Sequence, residues 1–437
     1  MPTNFPRVLL LTSSAFNPYS GGGITLTNLF RGWPRERLAV AHNDVLEPDP
    51  APCGRYYLLR DDELGPPWPL NVWSRRRRKA SATGAGPAGM AATSPPPARA
   101  WRRWAQHAVR AVVSDAALQD RATLTPELRA WVSEFRPEVI YTFLGSRGVV
   151  RLARRLAAAT GAPVVVHMMD DWPQTRYRGA ALSPLLRAAS DRELRALFRM
   201  AALRMGIGQA MCDEYRRRYG LEFLPFHNVL DIEAWQPHVR REWNAATPLK
   251  LLYAGSILPD AQRDSLVDVA EAVEELRRDG FPAELHLHTP FGRNDPERGR
   301  FDGRPGVILG DAPEGATIAQ HLAGADVLVL PVNFDEATVK YVRLSFPTKL
   351  PAYLLSGTPI LAYGPTAVEQ IRLAAAEGWG HVVPRRERNV LKSAVRELGE
   401  SLARRESLGR RAQEVARRDH DAERVRPQFQ AAIASVR

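Results

Sequence analysis

The sequence predicts two α/β domains, each a mostly parallel sheet covered by helices on both faces. Three observations carry that expectation. At 437 residues the chain exceeds one ordinary core and suits two domains of about 200 residues. Short apolar runs alternate with stretches whose apolar positions recur every three or four residues, the pattern of strands feeding amphipathic helices. The alternation pauses at 228–248 and then restarts. Strand–helix alternation of this kind gives parallel sheets buried on both sides.

In the first half the strand candidates are 7–12, 38–42, 138–142, 163–167, 203–206 and 223–226. Helix-period segments occupy 24–32, 128–135, 148–160, 182–200 and 211–219. In the second half, strands are expected at 249–254, 283–288, 307–309, 327–330 and 360–362, with helices at 263–279, 318–323, 349–356 and 367–377. An Arg-rich amphipathic helix follows at 390–418, and the tail 422–436 can cross back to the first lobe. The expected division is therefore 1–228, 229–415 and a returning segment 416–437.

Composition narrows the function classes. Two cysteines, Cys53 and Cys212, provide neither a disulfide framework nor metal-ligand spacing, which fits a reducing cytoplasm. No apolar run approaches the roughly 20 residues that span a bilayer, and the first run, Val8 to Leu11, reads as a buried strand rather than a leader peptide. The net charge of +12 favours phosphate ligands, polyanions or an anionic lipid surface, or reflects an Arg-rich composition. Nucleic acid is not expected as a partner, because no helix-turn-helix, zinc or aromatic RNA-reading signature accompanies the charge.

Segment 75–97 is rich in Arg, Ala, Gly, Pro, Ser and Thr and reads as a disordered loop within the first domain. Trp68 and Trp73 precede it, and Trp101 and Trp104 follow among arginines. These either dock peripherally on an anionic membrane or cap a helix of the first lobe.

Four stretches can carry chemistry. Gly21, Gly22 and Gly23 follow the first strand, where bare backbone lets a ligand approach and a helix start offers N–H groups to an anion. At the end of a later strand stand His167, Asp170 and Asp171 before Trp172 and Pro173. His167 is a candidate to orient or deprotonate a hydroxyl, and the aspartates to accept from sugar hydroxyls; a buried imidazole and loop-capping carboxylates are the plain alternative. No second oxygen cluster completes a hard-cation site, so no metal is expected. The second half opens with Gly255 and Ser256, then Arg263, all near a strand end. The strongest signal is 345–365: Ser345 and Pro347 suit a helix start, Gly357 its end, and Thr348 and Lys349 then fall in the first turn, where a diphosphate is favoured.

In this order, together with the stretches at 209–215, 226–231, 325–331 and 377–380, these pieces resemble the large retaining family of GT-B glycosyltransferases usually called family 4. The likeness spans nearly the whole chain outside the loop and is similar to bacterial enzymes that build surface polysaccharides or glycolipids. It implies two Rossmann-like αβα domains facing across a cleft, with the acceptor on the first lobe and the nucleotide sugar on the second. Ser256, Arg263, Ser345, Thr348 and Lys349 would hold the donor. His167 and the glycines would face the reaction centre. Transfer would proceed with retention, without metal and without any cofactor beyond the nucleotide-sugar co-substrate. The acceptor would be a saccharide or lipid-linked, and the enzyme cytoplasmic, either free or peripheral at the inner face of the plasma membrane.

The sequence departs from the family at two positions. The family places two glutamates eight positions apart, contacting the donor sugar and the ribose; counting back from Gly357, Leu344 and Ala352 stand there instead. Asp335 and Glu336 are candidate substitutes. Two other readings stay open: a GT-B homologue that binds or scaffolds without transfer, and a nucleotide-sugar epimerase sharing the two-lobed shape.

Overall fold

The computed structural model describes residues 5–65, 120–177, 181–290, 295, 297–312 and 317–436. The loop expected at 75–97 and the tryptophans Trp68, Trp73, Trp101 and Trp104 lie outside the described residues. Among those described, no helix is long and apolar enough to cross a membrane.

Two parallel sheets form the frame. The first contains β1 (Val8–Thr12), β2 (Leu38–His42), β3 (Tyr56–Leu58), β4 (Val139–Phe143), β5 (Val164–Met168), β6 (Leu203–Gly206) and β7 (Leu224–Pro225), in the order β3-β2-β1-β4-β5-β6-β7. The second contains β8 (Leu249–Ala254), β9 (Ala283–His288), β10 (Val307–Gly310), β11 (Val327–Pro331), β12 (Ile360–Tyr363) and β13 (Gly380–Val383), in the order β10-β9-β8-β11-β12-β13. Strands β1, β2, β4, β5 and β11 are buried along their whole length, which is why each reads as an apolar run without alternation. In both sheets the strand order reverses beside the first strand of that half, the crevice where α/β sheets bind ligands.

Several elements differ from expectation, three of them in where an expected helix starts or ends. The helix after β1 spans Gly21–Phe30, so the glycines form its first turn, because Ser20 caps it by accepting from the Gly23 N–H at 3.1 Å. The helix anticipated at 390–418 is two, Arg388–Glu400 and Leu402–Asp419, divided where Ser401 turns extended and caps the second at Arg404. The helix expected from 349 begins at Leu350 and ends at Ser356; Lys349 is its N-cap residue, and Pro351 sits in the first turn, where a missing N–H costs nothing.

The two sheets are joined by paired crossings. Leu230 and Asp421 form a parallel bridge, with the Leu230 N–H donating to the His420 carbonyl and the Ala422 N–H to that of Leu230, both at 2.9 Å. The final helix, Ala422–Ala434, then packs on Gly21–Phe30. Gln430 donates to the carbonyls of Leu29 and Arg31, and Arg426 to that of Asn28, satisfying groups that the first helix leaves open at its end. Phe429 is fully buried, with its ring 5.2 Å from Phe30, 5.4 Å from Phe226 and 6.0 Å from Tyr141. Phe429→Ala should lower unfolding stability by about 3–5 kcal/mol, measured by urea denaturation, and should loosen the tail so that proteolysis near 420 becomes faster.

Candidate functional site

The connection between the helices Glu336–Val342 and Leu350–Ser356, residues 343–349, reaches from the second sheet's lobe to the first. Ser345 Oγ donates to Asp170 Oδ1 at 3.0 Å, and Thr348 Oγ1 to the Gly21 carbonyl at 3.3 Å. Asn228, buried at the crossing, accepts from Asn28 and donates to the Thr348 carbonyl, both at 2.9 Å. Arg343 reaches Glu214 at 3.3 Å. The helix Glu336–Val342 packs on the short helix Trp172–Thr175 across the same gap. These contacts bring Gly21, Asp170, Ser345 and Thr348 together.

A methyl group on Gly21 would meet Thr348 Oγ1 at 2.8 Å, and one on Gly22 would meet Ser14 Oγ at 2.8 Å and the Phe143 ring at 2.9 Å. The glycines thus permit close packing of the first helical turn, whose N–H groups lack intrahelical partners.

Lys349 lies on the second wall. Its ammonium donates to the Ala254 carbonyl at 3.1 Å and sits 3.7 Å from the centre of the Tyr253 ring. Among the described residues no carboxylate pairs with it. Burial lowers its pKa to about 7. Gly255 beside it has φ +132°, and a Cβ there would stand 2.9 Å from Nζ, so only glycine suits this approach. Ser256 follows with an exposed side chain, while its carbonyl accepts from the Tyr253 hydroxyl at 2.6 Å.

The other candidates are engaged elsewhere. His167 is fully buried, with Nδ1 2.6 Å from the Tyr141 hydroxyl and Nε2 2.9 Å from the Phe226 carbonyl. Burial pushes its pKa down to about 4. Both nitrogens are occupied, so the imidazole ties β4 and β5 to the crossing and does not meet the cleft. This corrects its expected place at the reaction centre: it sits within β5, whose every residue is enclosed. Asp171 is also buried, held by a two-pronged Arg218 pair at 2.7 Å and by the Tyr215 hydroxyl at 3.1 Å. Arg263 pairs with Asp264 at 2.7 Å and Glu297 at 3.4 Å.

Asp170 differs from its neighbour. It is half-buried and accepts from Ser345, and no cation pairs with it among the described residues. Burial raises its pKa against the opposing Ser345 hydrogen bond, and its negative charge in turn raises that of Tyr341. Tyr341 and the Asn28–Asn228 relay were not anticipated; they become visible only when the lobes are placed together. Leu344 and Ala352 are apolar and packed, Asp335 caps the helix at Thr338, and Glu336 pairs with Lys340. Among the described residues no cluster of three or more His, Cys, Asp or Glu is placed to hold a metal.

Two facing parallel sheets, a ligand edge on each and a returning C-terminal helix define the GT-B fold, and the chain has it. Among solved structures it is similar over nearly full length to HepE of Anabaena in complex with UDP-glucose (14% identity, 98% of this chain and 99% of that one, TM-score 0.58). Sucrose-phosphate synthase from Thermosynechococcus elongatus matches with 14% identity, 98% and 99% coverage and TM-score 0.62. The α,α-trehalose 6-phosphate synthase of Burkholderia multivorans matches with 14% identity, 99% and 97% coverage and TM-score 0.59. No protein-family model and no curated protein sequence matches the chain.

Removing Arg218 separates the two aspartates. Arg218→Ala should cost about 3–5 kcal/mol of stability by stranding the Asp171 carboxylate. Asp170→Asn, which keeps the acceptor for Ser345, should stay within about 1 kcal/mol of wild type. Thermal unfolding of the two variants side by side checks both.

Proposed function

We propose that the protein is a glycosyltransferase that moves a sugar from a nucleotide-sugar donor to a saccharide or lipid-linked acceptor, with retention and without a metal. Residues 1–228 carry the acceptor side and 229–415 the donor side, with 416–437 returning to the first. The observation that carries this reading is the Lys349 ammonium, half-buried and, among the described residues, without a counter-ion, beside the bare backbone of Gly255 at the ligand edge of the second sheet. A cation in that state has an unmet preference for an anion, and a diphosphate supplies one. Ser256, Thr348 and the opening turn of the helix Gly21–Phe30 complete a donor-rich rim around it. They stabilise the leaving diphosphate through hydrogen bonds and fixed dipoles, as a metal does elsewhere.

Asp170 is the carboxylate this site offers to sugar hydroxyls. His167 and Asp171 are engaged with partners of their own, whereas Asp170 accepts only from Ser345. Transfer with retention on the face of the departing group suits that arrangement, because the leaving phosphate oxygen can take the acceptor proton. The net charge of +12 supports an acceptor or lipid surface that is anionic. A second reading, a homologue that binds nucleotide without transfer, is favoured by the apolar Leu344 and Ala352 where hydrogen-bonding carboxylates are expected.

Calorimetry with UDP, GDP and ADP, followed by product detection with their sugars, tests the proposal. Binding with sugar release or transfer supports it; binding alone leaves the second reading; no binding at millimolar nucleotide removes both. Lys349→Ala should weaken the bound nucleotide by about ten- to a hundred-fold, the loss of a charged hydrogen bond of about 1.5–3 kcal/mol.

The depressed pKa sets a sign. In the unfolded chain the amine returns to the ordinary lysine range, so the unfolded state holds more protons above pH 7, and stability rises with pH through that window. Nucleotide binding runs the opposite way. The anion favours the ammonium, so affinity should fall as pH rises from about 7, and binding at pH 8 should take up a proton from buffer. Calorimetry in buffers of different ionisation enthalpy measures that uptake, and Lys349→Met should abolish it.

A further inference from the structure

Two neighbouring helices of the first lobe carry an uneven share of the charge. Arg147–Thr160, which follows β4, has four arginines and no acid, and Ser183–Met200, which follows β5, has four arginines and two acids. The two helices pack on one another. Both acids are engaged: Glu193 meets Arg147 and Arg151 at 2.8 Å each, and Asp191 pairs with Arg195 at 2.7 Å. Exposed Arg154, Arg192 and Arg199 have no acidic partner among the described residues. By contrast Arg60, Arg216 and Arg217, exposed on the same lobe, pair with Glu127, Glu222 and Glu214.

The outward side of Ser183–Met200 mixes these cations with apolar groups. Ser190, Leu194, Leu197 and Phe198 turn inward. On the opposite side Leu182, Leu185, Ala188, Arg192 and Arg199 recur at three, four and seven residues, one stripe along a helix of 3.6 residues per turn. All five are exposed, Leu185 at 69% and Leu182 at 40%. The two leucines stand toward the carboxyl edge of the first sheet, because the chain reaches them from β5 through Asp170, the helix Trp172–Thr175 and Arg176. The Arg176 carbonyl accepts from Arg187 Nε at 3.2 Å, which ties the start of the longer helix to that edge.

We propose that this face docks on an anionic lipid bilayer, with Leu182 and Leu185 entering the interface and Arg154, Arg192 and Arg199 meeting the lipid phosphates. Charge complementarity sets the sign of the partner, and the exposed leucines favour a surface with an apolar interior over a soluble polyanion. Arginine suits the task, because its stem lies along the acyl boundary while its planar guanidinium reaches the phosphates. Docking at this edge brings the acceptor side of the molecule against the bilayer, where a lipid-linked acceptor holds its head group. That consequence rests on the function proposed above; the docking does not.

Sedimentation of the full-length protein with vesicles of phosphatidylcholine, alone or mixed with phosphatidylglycerol, tests this. Binding should require phosphatidylglycerol and weaken as salt is raised. The triple variant Arg154→Gln, Arg192→Gln, Arg199→Gln should bind about a hundredfold more weakly, roughly fivefold for each arginine near the surface. Removing three exposed arginines of the second lobe instead, Arg241→Gln, Arg278→Gln and Arg385→Gln, lowers the net charge equally and should leave binding unchanged. Leu185→Asp should weaken it about tenfold, since a carboxylate replaces an inserted leucine. Circular dichroism confirms that each variant is folded. Equal losses in the two triple variants would reduce the effect to net charge and overturn the proposal. So would undiminished binding by Leu185→Asp, or no binding of the unaltered protein to phosphatidylglycerol vesicles. Duplex DNA held as tightly as the vesicles, with Leu185→Asp without effect on either, would make the face a polyanion site and likewise overturn it. Vesicle binding is read without nucleotide, so its failure leaves the transferase reading standing, and a protein that docks but binds no nucleotide refutes that reading alone.

Discussion

An ammonium kept without a carboxylate is the constraint on which the second lobe turns. Enclosing the Lys349 charge costs free energy, and the fold offsets only part of it through the Ala254 carbonyl and the Tyr253 ring face. The cost shows in the depressed pKa. The surroundings are shaped to keep it there: Gly255 adopts a conformation that other residues resist and lacks the Cβ that would strike Nζ. Within the proposed reading an incoming anion relieves that cost, at the edge where a parallel sheet binds ligands.

The first lobe relates to that charge through a fixed end and a yielding end. At the hinge the two crossings are hydrogen-bonded to each other, and the final helix buries Phe429 among four rings of the first core. At the cleft the lobes meet through polar contacts, Ser345 to Asp170, Thr348 to Gly21, Arg343 to Glu214 and the relay through Asn228, and through apolar packing of Leu344 and Phe346 on the first core and of helix Glu336–Val342 on Trp172–Thr175. Each such hydrogen bond is worth about 0.5–1.5 kcal/mol net, and a partly exposed ion pair about 0–1.

Much of the frame was legible because buried parallel strands are apolar without interruption, as in Val8–Thr12 and Val327–Pro331. The strands that escaped notice are those lacking that signal: Tyr56–Leu58 lies partly exposed at a sheet edge, and Gly380–Val383 opens on a glycine. Helix starts moved by a few residues because single side chains decide them, Ser20 at one and Pro351 at the other. The site was harder for a physical reason. His167, Asp170 and Asp171 share one strand end, yet one is sealed by Tyr141 and Phe226, one is bound by Arg218 and Tyr215, and only Asp170 keeps a lone pair toward the cleft. Those partners lie 26 to 59 residues away in sequence, beyond what local pattern reports.

The two apolar positions at 344 and 352 then acquire a structural explanation. Leu344 packs in the apolar core of the first lobe and Ala352 against an apolar cluster of the second, so both serve packing. Within the proposed reading, polar recognition of the sugar passes from the second lobe to Asp170 on the first. That carboxylate adjoins the donor wall only while Ser345 holds it there. Sugar recognition and lobe closure become one event, because a donor bound to an open molecule would find its diphosphate partner at Lys349 without the group that reads its hydroxyls.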